Sequence, residues 1–126
     1  MRQSKFASKR QLTTALLALA IGPTLGSAEE RVAPGEQLFR DNCAECHQPD
    51  GMGIAGIYPA LATSEVVRGS GVDVALQLII GRGEMPSFSA ALRPHEMAAV
   101  INYVRNAWGN KGKSISVEEV AALLQD

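Results

Sequence analysis

Cys43-Ala44-Glu45-Cys46-His47 is the stretch of this sequence whose residue types and order can do covalent and metal chemistry together. The spacing C-x-x-C-H is that of a c-type haem attachment site. Two thiols add across the two vinyl groups of the porphyrin to give thioethers, so Cys43 and Cys46 are the candidates for covalent attachment. The histidine that follows directly is held beneath the ring, where a neutral imidazole nitrogen can bind the iron. A chain carrying such a site most often moves single electrons, because haem iron changes oxidation state without breaking a bond in the protein. Two other uses of these residues compete. Cys43, Cys46 and His47 are plausible zinc ligands, but a closed structural site takes four donors, and His95 is the obvious fourth. A thioredoxin-like redox pair needs a strand before the motif within a βαβ unit, and no such pattern is present.

Haem iron in an electron carrier usually takes a second axial ligand from the opposite face, so the chain must pass around the ring before supplying it. The candidates are Met52, Met85, Met97 and His95. Met52 follows His47 by only five residues, in a Gly-flanked loop. Met97 falls on the apolar face of a helix, where core packing is the default for methionine. His95 sits in the first turn of that helix beside Pro94 and Glu96 and reads most simply as a solvated histidine. Met85 lies in an irregular loop, and Pro86 stiffens the backbone just after it. Met85 fits the role best, with the other three left as alternatives.

The elements that must position these residues read as helices with long loops. Pro34 opens a helix over residues 35–42, with Leu38 and Phe39 apolar. Residues 48–62 are rich in Gly, Pro and small apolar residues and carry no helical period, so they form a loop. A short turn over 64–68 precedes a helix over 72–80, which Gly81 ends. A second loop, 83–91, holds Met85-Pro86. The strongest helical pattern is 94–108, where Met97, Val100, Ile101, Val104 and Trp108 recur on one face and Gly109 stands at the stop. Ser116-x-x-Glu119 is a capping box opening a terminal helix to residue 125. No alternating strand pattern competes, and the fold class is all-α.

The chain has 126 residues and a net charge of −1, but its N-terminus biases both figures. Arg2, Lys5, Lys9 and Arg10 precede a short apolar run, and Gly26-Ser27-Ala28 offers small residues for cleavage. Residues 1–28 therefore read as a cleaved secretory signal and 29–126 as the haem domain. The apolar run falls well short of the roughly 20 residues that span a bilayer, so no permanent membrane anchor is expected. Residues 29–126 carry eight basic and thirteen acidic residues, a net charge of −5. That balance does not favour nucleic acid or anionic lipid and suits a partner with a basic docking patch. Both cysteines are consumed by the motif, which leaves none for a disulfide in an exported chain.

Gly35-x-x-Leu38-Phe39 ahead of the motif, Pro59 twelve residues after His47, Met85-Pro86 and the helix containing Asn102-Tyr103-Val104 together resemble a single-haem class I cytochrome c. The resemblance covers most of residues 34–126. It implies a small helical fold wrapped around one covalently bound haem c, with crossing first and last helices. It places Gly35 and Phe39 against Val100 and Tyr103, and it has the Pro59 carbonyl accept from His47. It also implies His47 and Met85 as axial ligands, and an electron carrier rather than an enzyme. The segments 51–54, 58–61 and 102–110 are similar to the haem domains of cytochrome subunits of periplasmic alcohol and gluconate dehydrogenases. The expected location is the periplasm, and the expected partners are redox proteins: a dehydrogenase, or a respiratory oxidase or reductase. A peroxidase-like or ligand-sensing haem with a displaceable Met85, and an obligate subunit of a dehydrogenase complex, are the competing functions. Arg68 and Arg82 are candidate partners for haem propionates.

Overall fold

The computed structural model describes residues 34–125, so the signal read in residues 1–28 lies outside the described residues. Six helices occur among them: α1 (Gly35–Asn42), α2 (Ala44–His47), α3 (Glu65–Arg68), α4 (Gly71–Ile80), α5 (Pro94–Val104) and α6 (Val117–Leu123). The only β-type pairings there are two isolated bridges, Ile54 with Tyr58 and Arg82 with Met85, so the all-α reading holds.

Local chemistry sets the helix ends. Ser64 and Ser70 accept from the backbone N–H groups of Val67 and Val72 and cap α3 and α4. Gly81, with φ of 76°, stops α4 where a side chain would strain the backbone. The capping box of α6 forms as expected: Ser116 N–H donates to Glu119 Oε2 at 2.7 Å, and Glu119 N–H donates to Ser116 Oγ at 3.1 Å. α5 opens on Arg93, a poor cap by residue type. Glu96 compensates by accepting from the Arg93 N–H at 2.9 Å and from its guanidinium at 2.9 and 3.1 Å.

The frame is the crossing of α1 and α5. A Cβ on Gly35 would run into the Ala99 carbonyl oxygen and lie 2.8 Å from Tyr103 Cβ, so only glycine lets the two backbones approach this closely. One turn on, Phe39 is fully buried and packs with Tyr103 and Trp108, at ring centroid separations of 5.7 and 5.0 Å. Gly35 thus meets Ala99 and Tyr103, and Val100 joins Phe39, Met97, Ile101 and Val104 in the core. Val74, Ala75 and Leu78 of α4 and Val120 of α6 complete that core, each buried large aliphatic contributing about 1.5–3 kcal/mol.

Two helix ends differ from the sequence reading. α5 ends at Val104, not Trp108. The buried Asn110 amide donates to the Val104 carbonyl at 3.0 Å, satisfying a helix-end acceptor that another turn would have used. Trp108 (φ 52°) and Gly109 (φ 82°) then take left-handed backbone. The indole therefore leaves the helix face and covers Gly51, where a Cβ would lie 2.6 Å from Trp108 Cδ2. Similarly, the terminal helix stops at Leu123 rather than residue 125.

Two outcomes follow from these contacts. Gly35→Ala should destabilise the protein by about 1–3 kcal/mol in chemical denaturation, because the new methyl group collides with backbone. Hydrogen bonds from the Arg93 side chain and backbone hold the Glu96 carboxyl at about 2, against an ordinary 4.5. A depressed carboxylate stabilises the fold above its unfolded pKa and loses that contribution as pH falls through the folded value. Glu96→Gln should thus cost about 1 kcal/mol at pH 7, at the scale of a surface pair, and almost nothing near pH 2.

Candidate haem-binding site

α1 runs directly into the motif. Cys43 is its C-cap, donating its N–H to the Phe39 carbonyl at 2.8 Å. The next turn, α2, closes on the Cys43 carbonyl, which accepts from His47 N–H at 2.9 Å and Cys46 N–H at 3.2 Å. Residues three and four apart share a helix face, so this turn groups Cys43, Cys46 and His47 on one side of the chain. Both thiols are free. Burial, with Cys46 beside it adding to the effect, pushes the Cys43 thiol up to about 11. It therefore stays protonated at neutral pH.

The chain then reverses. Gln48 takes a positive φ of 62°, and the Gly51 carbonyl accepts from both Leu61 and Ala62 N–H at 2.7 and 2.9 Å. This closes the Gly-rich loop and returns Pro59 to the motif. His47, only 9% exposed, donates Nδ1–H to the Pro59 carbonyl oxygen at 2.9 Å. A carbonyl can only accept, so the proton sits on Nδ1 and the lone pair on Nε2, the tautomer suited to binding a metal. Gly53 makes room for this geometry, since a Cβ there would press on the Tyr58 and Pro59 carbonyl oxygens.

Met85 is held by a different construction. Arg82 and Met85 exchange backbone hydrogen bonds at 2.9 and 3.0 Å, forming a tight turn directly after α4. The loop is pinned back on that helix by Phe88 N–H to the Leu78 carbonyl, 2.8 Å, and Ser87 Oγ–H to the Ile79 carbonyl, 2.5 Å. The half-buried Met85 side chain packs against the core, as do Cys43, Leu61 and Phe88. The other candidates part from it. Met97 is fully buried in the core, and Met52 is 59% exposed. His95 is not the solvated histidine its neighbours suggested: its Nε2 is enclosed without a partner among the described residues. Among the described residues, no three of His, Cys, Asp and Glu gather where a bare metal ion could sit, which leaves the zinc alternative without a donor set.

Three site residues escaped the sequence reading. Gln77 Nε2–H donates to Met85 Sδ at 3.8 Å, placing a polar hydrogen on the thioether from one helix turn before the loop. Tyr58 lies against Cys46, whose charge and hydrogen bond raise its phenol pKa. Asn110, 2% exposed, ties the post-motif loop to the end of α5. Its Oδ1 accepts from Thr63 N–H and Arg68 Nε–H, and its Nδ2 donates to the Leu61 and Val104 carbonyls. The i to i+8 spacing of Gln77 and Met85 was visible in the sequence; the long-range partners of Asn110 were not. Arg82 is exposed, and Arg68 is engaged by Asn110.

The donor set fits a haem. Two adjacent thiols stand on one face, an imidazole with its Nε2 lone pair free follows them, and a thioether sulfur stands in a loop fixed by backbone bonds. Exposed Met52, Ile54 and Ile57 on the Gly-rich loop add apolar surface beside them.

Comparison with known proteins bears on the same residues. Residues 30–104 match the family model described as cytochrome c oxidase, cbb3-type, subunit III. The cytochrome c subunit of the quinone alcohol dehydrogenase of Gluconacetobacter polyoxogenes is 31% identical over 99 residues, covering 69% of this chain. The chain spans only 21% of that subunit's length. Cytochrome c-552 of Thermus thermophilus is 35% identical over 120 residues, covering 79% of this chain and 80% of its own length. The crystal structure of cytochrome c6C from Synechococcus sp. PCC 7002 superposes with a TM-score of 0.52 at 26% identity, over 61% of this chain and 98% of that one. Motif, helical fold and relatives coincide, and the chain belongs to the cytochrome c family, as a class I cytochrome with a single haem motif.

Proposed function

We propose that this protein carries single electrons through a haem c attached at Cys43 and Cys46 and ligated by His47 and Met85. The observation that carries the reading is the His47 Nδ1–H to Pro59 carbonyl bond, which leaves Nε2 as the free donor of a fixed imidazole. When bound, haem iron supplies a one-electron couple, and the protein's part is to hold, shield and tune it. Cys43 and Cys46 anchor the ring on the turn that also orients His47. The Pro59 carbonyl keeps the imidazole in one tautomer and one orientation. Met85, positioned by the Arg82 turn, would supply the second protein donor; with His47 and Met85 both engaged the iron would have no place for substrate, which favours a carrier over a peroxidase-like role. Gln77 donates to the Met85 sulfur; with haem bound, that bond would weaken the thioether as a donor to ferric iron and so raise the potential.

Residues 1–28 act in this reading as the export signal, and the mature chain works in the periplasm. No described helix is long and apolar enough to cross a membrane. The partners are redox proteins, and the similarity to a dehydrogenase cytochrome subunit favours a periplasmic dehydrogenase as the donor. The same similarity favours one second reading, a dedicated subunit of such a complex. Purification from a periplasmic extract separates the two, since a free carrier elutes as a monomer and a subunit elutes with its enzyme.

Met85→Ala should abolish the near-infrared ferric band of iron–thioether bonding and let the ferrous protein bind carbon monoxide. Unchanged spectra would place the second ligand elsewhere. Gln77→Leu should keep His/Met spectra but lower the potential by roughly 20–40 mV, the equivalent of one weak hydrogen bond in a one-electron couple. A potential equal to or above that of the parent in a redox titration would refute the tuning role.

A further inference from the structure

Four of the eight basic residues that follow position 28 converge on one cavity, in a segment of net charge −5. Arg68, Arg105, Lys111 and Lys113 line a space of about 460 Å³ between the α3–α4 turn and the segment leading into α6. Arg105 is the centre of it. Its side chain is 3% exposed, yet it has no carboxylate partner among the described residues. Nε–H donates to the Val67 carbonyl at 3.1 Å and Nη2–H to the Gly69 carbonyl at 2.7 Å. Nη1 has no acceptor among the described residues.

Two glycines make room for this guanidinium. A Cβ on Gly71 would lie 2.5 Å from Nη1, and one on Gly112 would lie 2.8 Å from Nη2. Neutral carbonyls position a buried charge but do not neutralise it, so the site favours an anion. The same wall holds Ser70, Gly71 and Val72, the start of the ten-residue helix α4, whose positive dipole end adds to the field. Ser70 caps only the Val72 N–H. The single acid in the lining, Glu119, has its carboxylate engaged by the Ser116 N–H in the α6 cap.

We propose that this cavity binds a phosphate group. A tetrahedral dianion offers enough acceptor oxygens to meet the free Nη1, the helix N-terminus and two lysines together. The cavity exceeds the size of the bare ion, so the group arrives either as inorganic phosphate or as the head of an anionic phospholipid.

The test uses the reduced, haem-loaded protein and follows amide and Arg105 Nε–H chemical shifts while inorganic phosphate replaces chloride at constant ionic strength. Saturable shifts at Gly71, Gly112 and Lys113 are expected. Lys111→Ala/Lys113→Ala should weaken binding by about tenfold. Both lysines are exposed and make no hydrogen bond or ion pair among the described residues, so the variant keeps the fold. Sedimentation with phosphatidylcholine vesicles containing phosphatidylglycerol then separates the sources. Co-sedimentation that inorganic phosphate competes away assigns the lipid headgroup, and phosphate binding without co-sedimentation assigns the free ion. Shifts that never saturate, that chloride reproduces, or that persist undiminished in the double variant overturn the site.

Discussion

At Gly35 the backbone of α1 meets that of α5 with no space for a methyl group. That approach sets the position of everything α1 carries. The helix ends at Cys43, so the depth and tilt of the crossing decide where the first thiol stands and where the single turn of α2 begins. One turn along, Phe39, Tyr103 and Trp108 close an aromatic cluster over the crossing, and Trp108 reaches past it to cover Gly51. A small helical domain has little apolar area to spend on rigidity. Here α5 supplies five of the buried core residues, and α1 sets Leu38 and Phe39 into them just ahead of the motif.

The two axial candidates are positioned by opposite strategies. His47 depends on a loop with almost no regular structure, residues 48–63, made rigid by explicit hydrogen bonds. The Gly51 carbonyl accepts twice, Asn110 holds Leu61 and Thr63, and the Pro59 carbonyl reaches the imidazole. Met85 depends on a tight turn sewn to the end of α4, with Gln77 on its sulfur. Such loops can be stiff because their buried polar groups are paired, not because they adopt a repeating conformation. The C-terminal part of the chain completes the arrangement. α6 packs on α4 and α5, and the segment before it supplies Asn110 and the pocket of Arg105.

Much of the fold was legible along the chain. The bounds of α1, the α6 capping box and the Gly81 stop depend on neighbours within one turn, and they appear as read. The errors lie where distant residues compete. The apolar period through Trp108 promised a longer α5, but an amide six residues past Val104 takes its carbonyl and turns the chain. His95 looked solvated beside proline and glutamate, yet its ring Nε2 is enclosed without a partner among the described residues. Arg105 and Asn110 are each almost wholly buried, and both bond partners more than thirty residues away that no local pattern points to.

Residue order alone sets out the chemistry on offer: two thiols and an imidazole in C-x-x-C-H order, a methionine before proline, and helices spaced to carry them. Those are properties of residue type and short-range spacing, which local physics expresses directly. Packing of the helices and loops adds the rest. It chose the His47 tautomer through Pro59, put a polar hydrogen on Met85 through Gln77, and left Arg105 buried with a nitrogen free. The resemblance already implied the Pro59 bond, and the structure forms it. The spacing of Gln77 and Met85 was visible but their contact was not, and the carbonyls that hold Arg105 lie more than thirty residues away, where only packing brings them.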